Sequence, residues 1–170
     1  NKLAEDTVIG SHNFLMAGSH VGHNATIGDH VIMANGVLLA GHVSVADRAF
    51  LSGNSVVHQF CRVGTLAMLQ GGAALSQDLP PYCMATDVNT LCGLNLVALR
   101  RLGFSSDQRL ELKRLYHALF RSGRLLSAAL DEARREFTSP AAVVLLDFIA
   151  TSKRGVSRHA ARPEVRDAAD

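Results

Sequence analysis

The chain has no tryptophan, two tyrosines and seven phenylalanines, so aromatic residues make up only 5% of its 170 positions. Large rings cannot organise a core here; Val, Leu, Ile and Ala must, within an apolar share of 48%. That share is enough for a packed interior and argues against disorder away from the ends. No apolar run approaches the roughly 18 residues of a membrane helix, and no signal-peptide pattern opens the chain. A formal net charge of +2 is too weak to call for a nucleic-acid partner. Cys61, Cys83 and Cys92 form no CxxC pair, and an odd, scattered set fits reduced thiols in a cytoplasmic protein better than a disulfide framework. The first residue is Asn1 rather than Met and the pattern begins almost at once, so we expect that upstream sequence has been removed.

What is present is a repeat. Taken every six residues from Ile9, the sequence reads Ile9, Leu15, Val21, Ile27, Met33, Leu39, Val45, Leu51, Val57, Val63, Leu69 and Leu75, aliphatic throughout with no slip. Four residues after each aliphatic from Leu15 to Leu69 come Ser19, Ala25, Val31, Val37, Val43, Ala49, Ser55, Cys61, Ala67 and Ala73, all small or β-branched. A helix repeats at 3.6 residues and an ordinary strand at 2, so period six fits neither. It fits a parallel β-helix in which each hexad supplies one flat face, the aliphatic pointing inward and the small residue filling a corner. Three hexads close an 18-residue coil, so Ile9 to Pro80 makes four coils. Hexapeptide coils are left-handed in the known architecture, an exception to the usual crossover rule.

At QDLPPY two prolines remove ladder donors and are expected to end the sheet. The rest reads as a loop and then helices, giving β+α organisation. The expected domains are a β-helix over 1–80, a connecting loop over 81–94, a helical domain over 95–158 and a polar tail over 159–170. Ser105 and Ser106 can N-cap DQRLELKRLYHALFRSG, with Leu110, Leu115, Leu119 and Phe120 as its apolar stripe and Gly123 as its stop. A second helix is expected over Leu126–Phe137, and a third from Ser139-Pro140 to Thr151.

The 18-residue register also maps the histidines. Above His23 stand Gly41, Gln59 and Gln77; beside them Asn24 is followed by His42, Phe60 and Asp78. His58 lies in the column on the other side. None of these positions points inward, so His20, His23, His42, His58 and Gln59 gather on one external ridge. Such turn positions also tolerate histidines that are merely solvated. Three chemical readings compete. An imidazole with an ordinary pKa of about 6.5 can act as a general base on a hydroxyl. Gly41, lacking a side chain, could then bring its N–H close to a developing oxyanion, a combination suited to acyl transfer from a thioester. Histidines of neighbouring hexads could instead hold zinc across a subunit boundary, although a lone HxxH is a weak signal. Or the chain is a non-catalytic trimeric scaffold. No serine pairs with His23 to support a Ser-His-Asp arrangement.

The stretches GHVSVADRAFLSGNSVVHQFCRVG, LSQDLPPY, GLNLVALRRLGFS, FRSG and SKRG resemble the hexapeptide-repeat UDP-N-acetylglucosamine O-acyltransferases of lipid A biosynthesis, in order, from about Glu5 to Arg158. The sister N-acyltransferases share the repeat and carry HN at the catalytic histidine, as His23-Asn24 does here. The resemblance implies a cytoplasmic homotrimer with sites in the grooves between adjacent β-helices. It implies transfer of a 3-hydroxyacyl chain from acyl carrier protein, the co-substrate, to the 3-hydroxyl of the nucleotide sugar, with no metal and no further cofactor. On this chain it puts the base at His23 and the oxyanion N–H at Gly41. Substrate contacts fall on His20, Asn24, His42, His58, Gln59 and Met68, the acyl-length position at Gly71, and sugar and phosphate contacts on Asn95 and Arg101. The basic C-terminal helices are where an acidic carrier protein would dock.

The chain departs from the family pattern in several places. Family chains run substantially further upstream, which implies a truncated or divergent member. Asn24 stands where the O-acyltransferases have aspartate, Val97 where they have an acidic sugar ligand, and Leu102 where they have the second arginine of a pair. The loop Thr86–Cys92 is a residue short and lacks a Gly-Asn turn.

Overall fold

The computed structural model describes residues 6–159. From Val8–Ile9 to Ala74–Leu75, twelve two-residue strands start six residues apart and each pairs in parallel with the strand 18 residues on. The result is the left-handed parallel β-helix that the repeat implies, a triangular prism of about four coils followed by helices. Its first face holds Val8–Ile9, Thr26–Ile27, Ser44–Val45 and Arg62–Val63; its second begins with Phe14–Leu15, Ile32–Met33, Phe50–Leu51 and Met68–Leu69; its third holds His20–Val21, Leu38–Leu39, Val56–Val57 and Ala74–Leu75.

The hexad aliphatics from Ile27 to Leu75 fill the prism axis, each at most 2% exposed, and burial of each contributes roughly 1.5–3 kcal/mol. Corners need a sharp change of direction within two residues, and the left-handed backbone region supplies it. Every sixth residue from His12 to Gly72 has φ between 56° and 73°. Gly18, Gly36 and Gly72 adopt it freely, whereas His30, His42, Arg48 and Leu66 are held there at a cost of roughly 1–2 kcal/mol each. Coil-to-coil bonds such as Thr26 N–H to the Val43 carbonyl at 2.9 Å and Gly28 N–H to the Val45 carbonyl at 2.8 Å offset that cost. Ile9 and Leu15 of the first coil remain exposed, because no described coil lies beneath them.

The prolines do not end the sheet. Arg62 N–H bonds the Asp78 carboxylate, Leu79 bridges Val63, and Cys83–Thr86 pairs in parallel with Met68–Leu69, all at a spacing of 16 residues. A fifth coil therefore starts with two residues fewer at one corner, and Gln77 and Asp78 do not stand over Gln59 and Phe60. Asp78 turns inward to Arg62 instead. The expected loop over 81–94 is largely a hairpin, Cys83–Thr86 against Thr90–Leu94, which adds two strands to the second face. Cys83, Ala85 and Leu91 supply its buried side. Arg158–His159 adds a further parallel strand beside Thr90–Leu94, so position 159, expected in a polar tail, is part of the sheet. The rest of that tail, 160–170, lies outside the described residues.

Four helices follow: α1 (Leu96–Arg101), which the sequence reading missed, α2 (Ser106–Phe120), α3 (Leu126–Glu136) and α4 (Pro140–Ala150). Ser105 caps α2 through a reciprocal box with Gln108, and Ser139 caps α4 ahead of Pro140. The buried stripe of α2 is Leu112, Leu115, Tyr116 and Leu119; Leu110, expected in it, is exposed. None of the described helices is long and apolar enough to cross a membrane.

The Asp78 carboxylate joins the two parts. Its side chain is 1% exposed and accepts from Arg62 Nε at 2.9 Å and Ser152 Oγ at 2.8 Å. The Arg62 guanidinium lies 4.2 Å from the centre of the Phe148 ring and donates to the Phe148 carbonyl, so α4 is clamped onto the end of the prism.

Candidate active site

The corner between the third and first faces carries His23, Gly41 and Gln59 in one column and Asn24, His42 and Phe60 in the next. Asn24 takes the left-handed conformation, φ 59°, which Asn tolerates better than most residues. That backbone aims its side chain back at its neighbour, and Asn24 Oδ1 lies 2.7 Å from His23 Nδ1. An amide oxygen only accepts, so Nδ1 carries the ring hydrogen and Nε2 presents a lone pair. Asn24 N–H in turn donates to Thr7 Oγ1 at 2.9 Å.

Gly41 lies one coil above. A Cβ built on it would sit 2.5 Å from His23 Nε2, so the ring occupies the space a side chain would need. On the corner between the first and second faces, the equivalent N–H groups of Ser11 and Asp29 are taken by the carboxylates of Asp29 and Asp47. At the histidine corner no such aspartate exists, and Gly41 N–H has no acceptor among the described residues. A basic nitrogen and an unused backbone donor therefore lie side by side.

His42 meets His23 edge to face at 5.2 Å between centroids and stacks on Phe60 at 4.7 Å, so the two rings wall the His23 ring on one side. His58 Nδ1 donates to the Gln59 carbonyl at 3.2 Å, which leaves its Nε2 as an acceptor. Gln59 itself is exposed on the same corner. His20 and His58 border an apolar strip on the third face, about 430 Å³, floored by Leu38, Val56 and Ala74 with Val88 at its top. His20 thus belongs to that strip and not beside His23 as a co-ligand. Among the described residues no three His, Cys, Asp or Glu side chains converge as a metal-ligand set.

The remaining candidates lie elsewhere. Met68 points out from the second face, and Asn95 and Arg101 flank it across a cleft of about 530 Å³ beneath α1. Asn95 is the N-cap of α1: Oδ1 accepts from Ala98 N–H at 3.2 Å and Nδ2 donates to the Leu66 carbonyl at 3.0 Å. One amide hydrogen and one lone pair remain for a ligand. Gly71 sits on the corner between the second and third faces, where a Cβ would come no closer than 3.4 Å to the Gly53 carbonyl oxygen. Glycine is not sterically required there; it leaves outward space. Two further residues with N–H donors, His30 and Arg48, line the same cleft as Arg101. Sequence reasoning missed them, although their six-residue spacing from other corner positions was a usable signal.

The hexapeptide prism, with an oriented histidine and an unused corner N–H on one edge, has the architecture of hexapeptide-repeat proteins. Family comparison agrees: a bacterial transferase hexapeptide family (six repeats) matches residues 6–41, and UDP-N-acetylglucosamine O-acyltransferase, domain 2, matches 78–157. The acyl-[acyl-carrier-protein]–UDP-N-acetylglucosamine O-acyltransferase of Herminiimonas arsenicoxydans is 41% identical over 91% of this chain and 62% of its own length. The Arabidopsis UDP-N-acetylglucosamine acyltransferase structure superposes with a TM-score of 0.87 at 38% identity, over 91% of this chain and 58% of that one. The Francisella novicida enzyme gives 0.84 at 38%, over 92% and 57%. The chain is similar to UDP-N-acetylglucosamine O-acyltransferases along most of its own length, and it spans about 60% of the length of these relatives.

Proposed function

We propose that this chain carries the catalytic centre of an O-acyltransferase that moves a 3-hydroxyacyl group from acyl carrier protein to the 3-hydroxyl of UDP-N-acetylglucosamine, the first step of lipid A biosynthesis, in the cytoplasm. The observation that carries the reading is the His23 imidazole, fixed by Asn24 through Nδ1 and set with Nε2 against Gly41. Nε2 takes the proton of the sugar hydroxyl as its oxygen attacks the thioester carbonyl. The carbonyl electrons move onto oxygen, where Gly41 N–H stabilises the charge. Collapse of this intermediate re-forms the carbonyl and breaks the C–S bond, and the imidazolium returns its proton to the departing sulfur.

The active unit is a homotrimer in this reading. The two candidate clusters occupy different faces of one prism, so a single copy cannot bring them to one substrate. Outward residues on the second and third faces are apolar apart from His20, among them Phe14, Ile32, Leu38 and Val56, whereas the first face shows Thr26, Ser44 and Arg62 above its first coil. Two adjacent apolar faces favour head-to-tail contact that closes a ring. The histidine corner of one copy would then face Met68, Asn95 and Arg101 of the next across a groove.

The test is direct. The purified chain, given 3-hydroxyacyl carrier protein and UDP-N-acetylglucosamine, is expected to form the acylated sugar nucleotide by mass spectrometry. His23→Ala is expected to lower turnover by about 10²–10⁴-fold while light scattering still shows a trimer. Unchanged turnover in that variant would remove His23 from the mechanism. A silent scaffold has one observation in its favour, the partial commitment of the Asn95 amide to capping α1. Absence of acyl-carrier binding by the wild-type chain would favour it.

A further inference from the structure

A separate cavity, about 340 Å³, lies between the end of α2, the start of α3 and residues 155–159. It shares no lining residue with the cleft beneath α1 or with the apolar strip on the third face. Leu119 and Phe120 of α2, Leu125 and Leu126 at the head of α3, and Val156 give it an apolar wall. Arg124 and Arg158 also line it, and no acidic residue does. Arg124 is already paired with Glu132. Arg158 is exposed, and among the described residues it makes no ion pair.

Two independent observations show polar groups left over here. Side-chain oxygens of Asn95, Ser105 and Ser139 cap α1, α2 and α4, but the N-cap of α3 is Leu125, which has no oxygen to offer. The backbone N–H groups of Leu126, Ser127 and Ala128 have no acceptor among the described residues, and no acidic side chain stands in that first turn. Ser157, which lines the cavity, is fully buried, and its hydroxyl has no hydrogen-bond partner among the described residues. Buried hydroxyls are nearly always paired, so this one calls for a partner. His159 engages only its Nδ1, 3.0 Å from Tyr116 Oη. A helix start and one uncompensated guanidinium beside an apolar wall match a single negative charge on a short hydrocarbon body. A dianion would bring one charge too many.

We infer that this cavity binds a small amphipathic carboxylate. Its oxygens accept from the N–H groups at the start of α3 and from Arg158, in place of the side-chain cap that α3 lacks. Its hydrocarbon part lies on Leu119, Phe120 and Val156. No residue of the histidine corner lines the cavity, so the inference stands apart from the proposed acyl transfer.

Hexanoate is the probe, titrated into the 170-residue chain and followed by amide ¹H–¹⁵N shifts. Saturable shifts are expected at Ser127, Ala128 and residues 155–159, with an affinity that falls as salt rises. Acetate, which lacks the apolar body, and hexan-1-ol, which lacks the charge, are each expected to bind about tenfold more weakly or worse. Arg158→Gln, at an exposed position, is expected to weaken hexanoate by about tenfold or more. Leu125→Asp supplies the missing cap, so it is expected to raise the urea midpoint while weakening hexanoate by about tenfold or more. Loss of binding in a stabilised variant cannot come from misfolding. A folded Arg158→Gln or Leu125→Asp chain that binds hexanoate within about twofold of wild type, less than the smallest effect expected of a charged hydrogen bond, would overturn the inference. So would a wild-type chain without saturable shifts at those amides, or one that binds inorganic phosphate more tightly than hexanoate. Hexanoate binding in a chain that performs no acyl transfer would count against the catalytic reading alone.

Discussion

His23 Nδ1 and Asn24 Oδ1 are 2.7 Å apart, and this contact decides which nitrogen of the ring is free to act. The amide fixes the tautomer as a carboxylate would, but it brings no negative charge to an imidazolium. Asn24→Ala is therefore expected to lower kcat with little change in KM, because the ring loses its orientation. Asn24→Asp is expected to retain activity and to move the acid limb of the pH–rate profile upward by about one pH unit, since a neighbouring carboxylate stabilises the charged ring. An unmoved acid limb would show that this contact does not govern the base. ¹⁵N shifts of the His23 ring, read independently of activity, are expected to report the Nδ1–H form.

Gly41 is small because the His23 ring fills the space beside it. Gly41→Ala is expected to push the ring aside, with turnover falling on the order of 10²-fold, as expected for a reacting group displaced by about 1 Å. The displaced group is an exposed ring with room to swing outward, so the stability loss stays within about 1–3 kcal/mol. Kinetics and a urea midpoint measured together separate this from general disruption.

The clamp between prism and helices is expected to matter for stability rather than for turnover. Asp78→Ala leaves Arg62 Nε and the Arg62 backbone N–H without their acceptor, and is expected to cost about 3 kcal/mol in chemical denaturation. Arg62→Met, which keeps contact with Phe148, is expected to cost less only when combined with Asp78→Leu.

The thiols predict an alkaline limit. Burial pushes the Cys61 thiol up from 9.0 to about 11, against the pull of nearby Arg154, and burial raises Cys83 further still. The unfolded chain ionises Cys61 near pH 9.0 while the folded chain keeps its proton to about pH 11. The stability held by the neutral thiol is complete below the first value and is lost across that window. Denaturation midpoints are expected to fall between about pH 9 and about pH 11, and Cys61→Ala is expected to flatten part of that fall. Cys92, exposed although also raised by partial burial, is expected to be the first thiol alkylated in the folded chain.

Much of this molecule was legible in one dimension. The hexad aliphatics named the axis, the 18-residue register named which residues stack, and Ser105 and Ser139 marked two helix starts, because each of these signals is local and repeated. The register alone put Gly41 over His23. Local signals failed where a distant partner decided the outcome. Cys83–Thr86 reads as loop after two prolines, yet it finds Met68–Leu69 waiting as an open edge. Asp78, counted into the corner column by arithmetic, is drawn to Arg62 because the last corner is two residues short.

The sequence by itself determined the prism, its faces and which residues stack beside His23, since a period of six fits neither a helix nor an ordinary strand. Only the tertiary structure decided that Asn24 turns its oxygen to Nδ1, that the candidates split between two faces, and that Arg48 shares a cleft with Arg101. Those are matters of side-chain direction and of contacts between segments about 50 residues apart, as Arg48 and Arg101 are. Packing sets them, and no repeat in the chain encodes them.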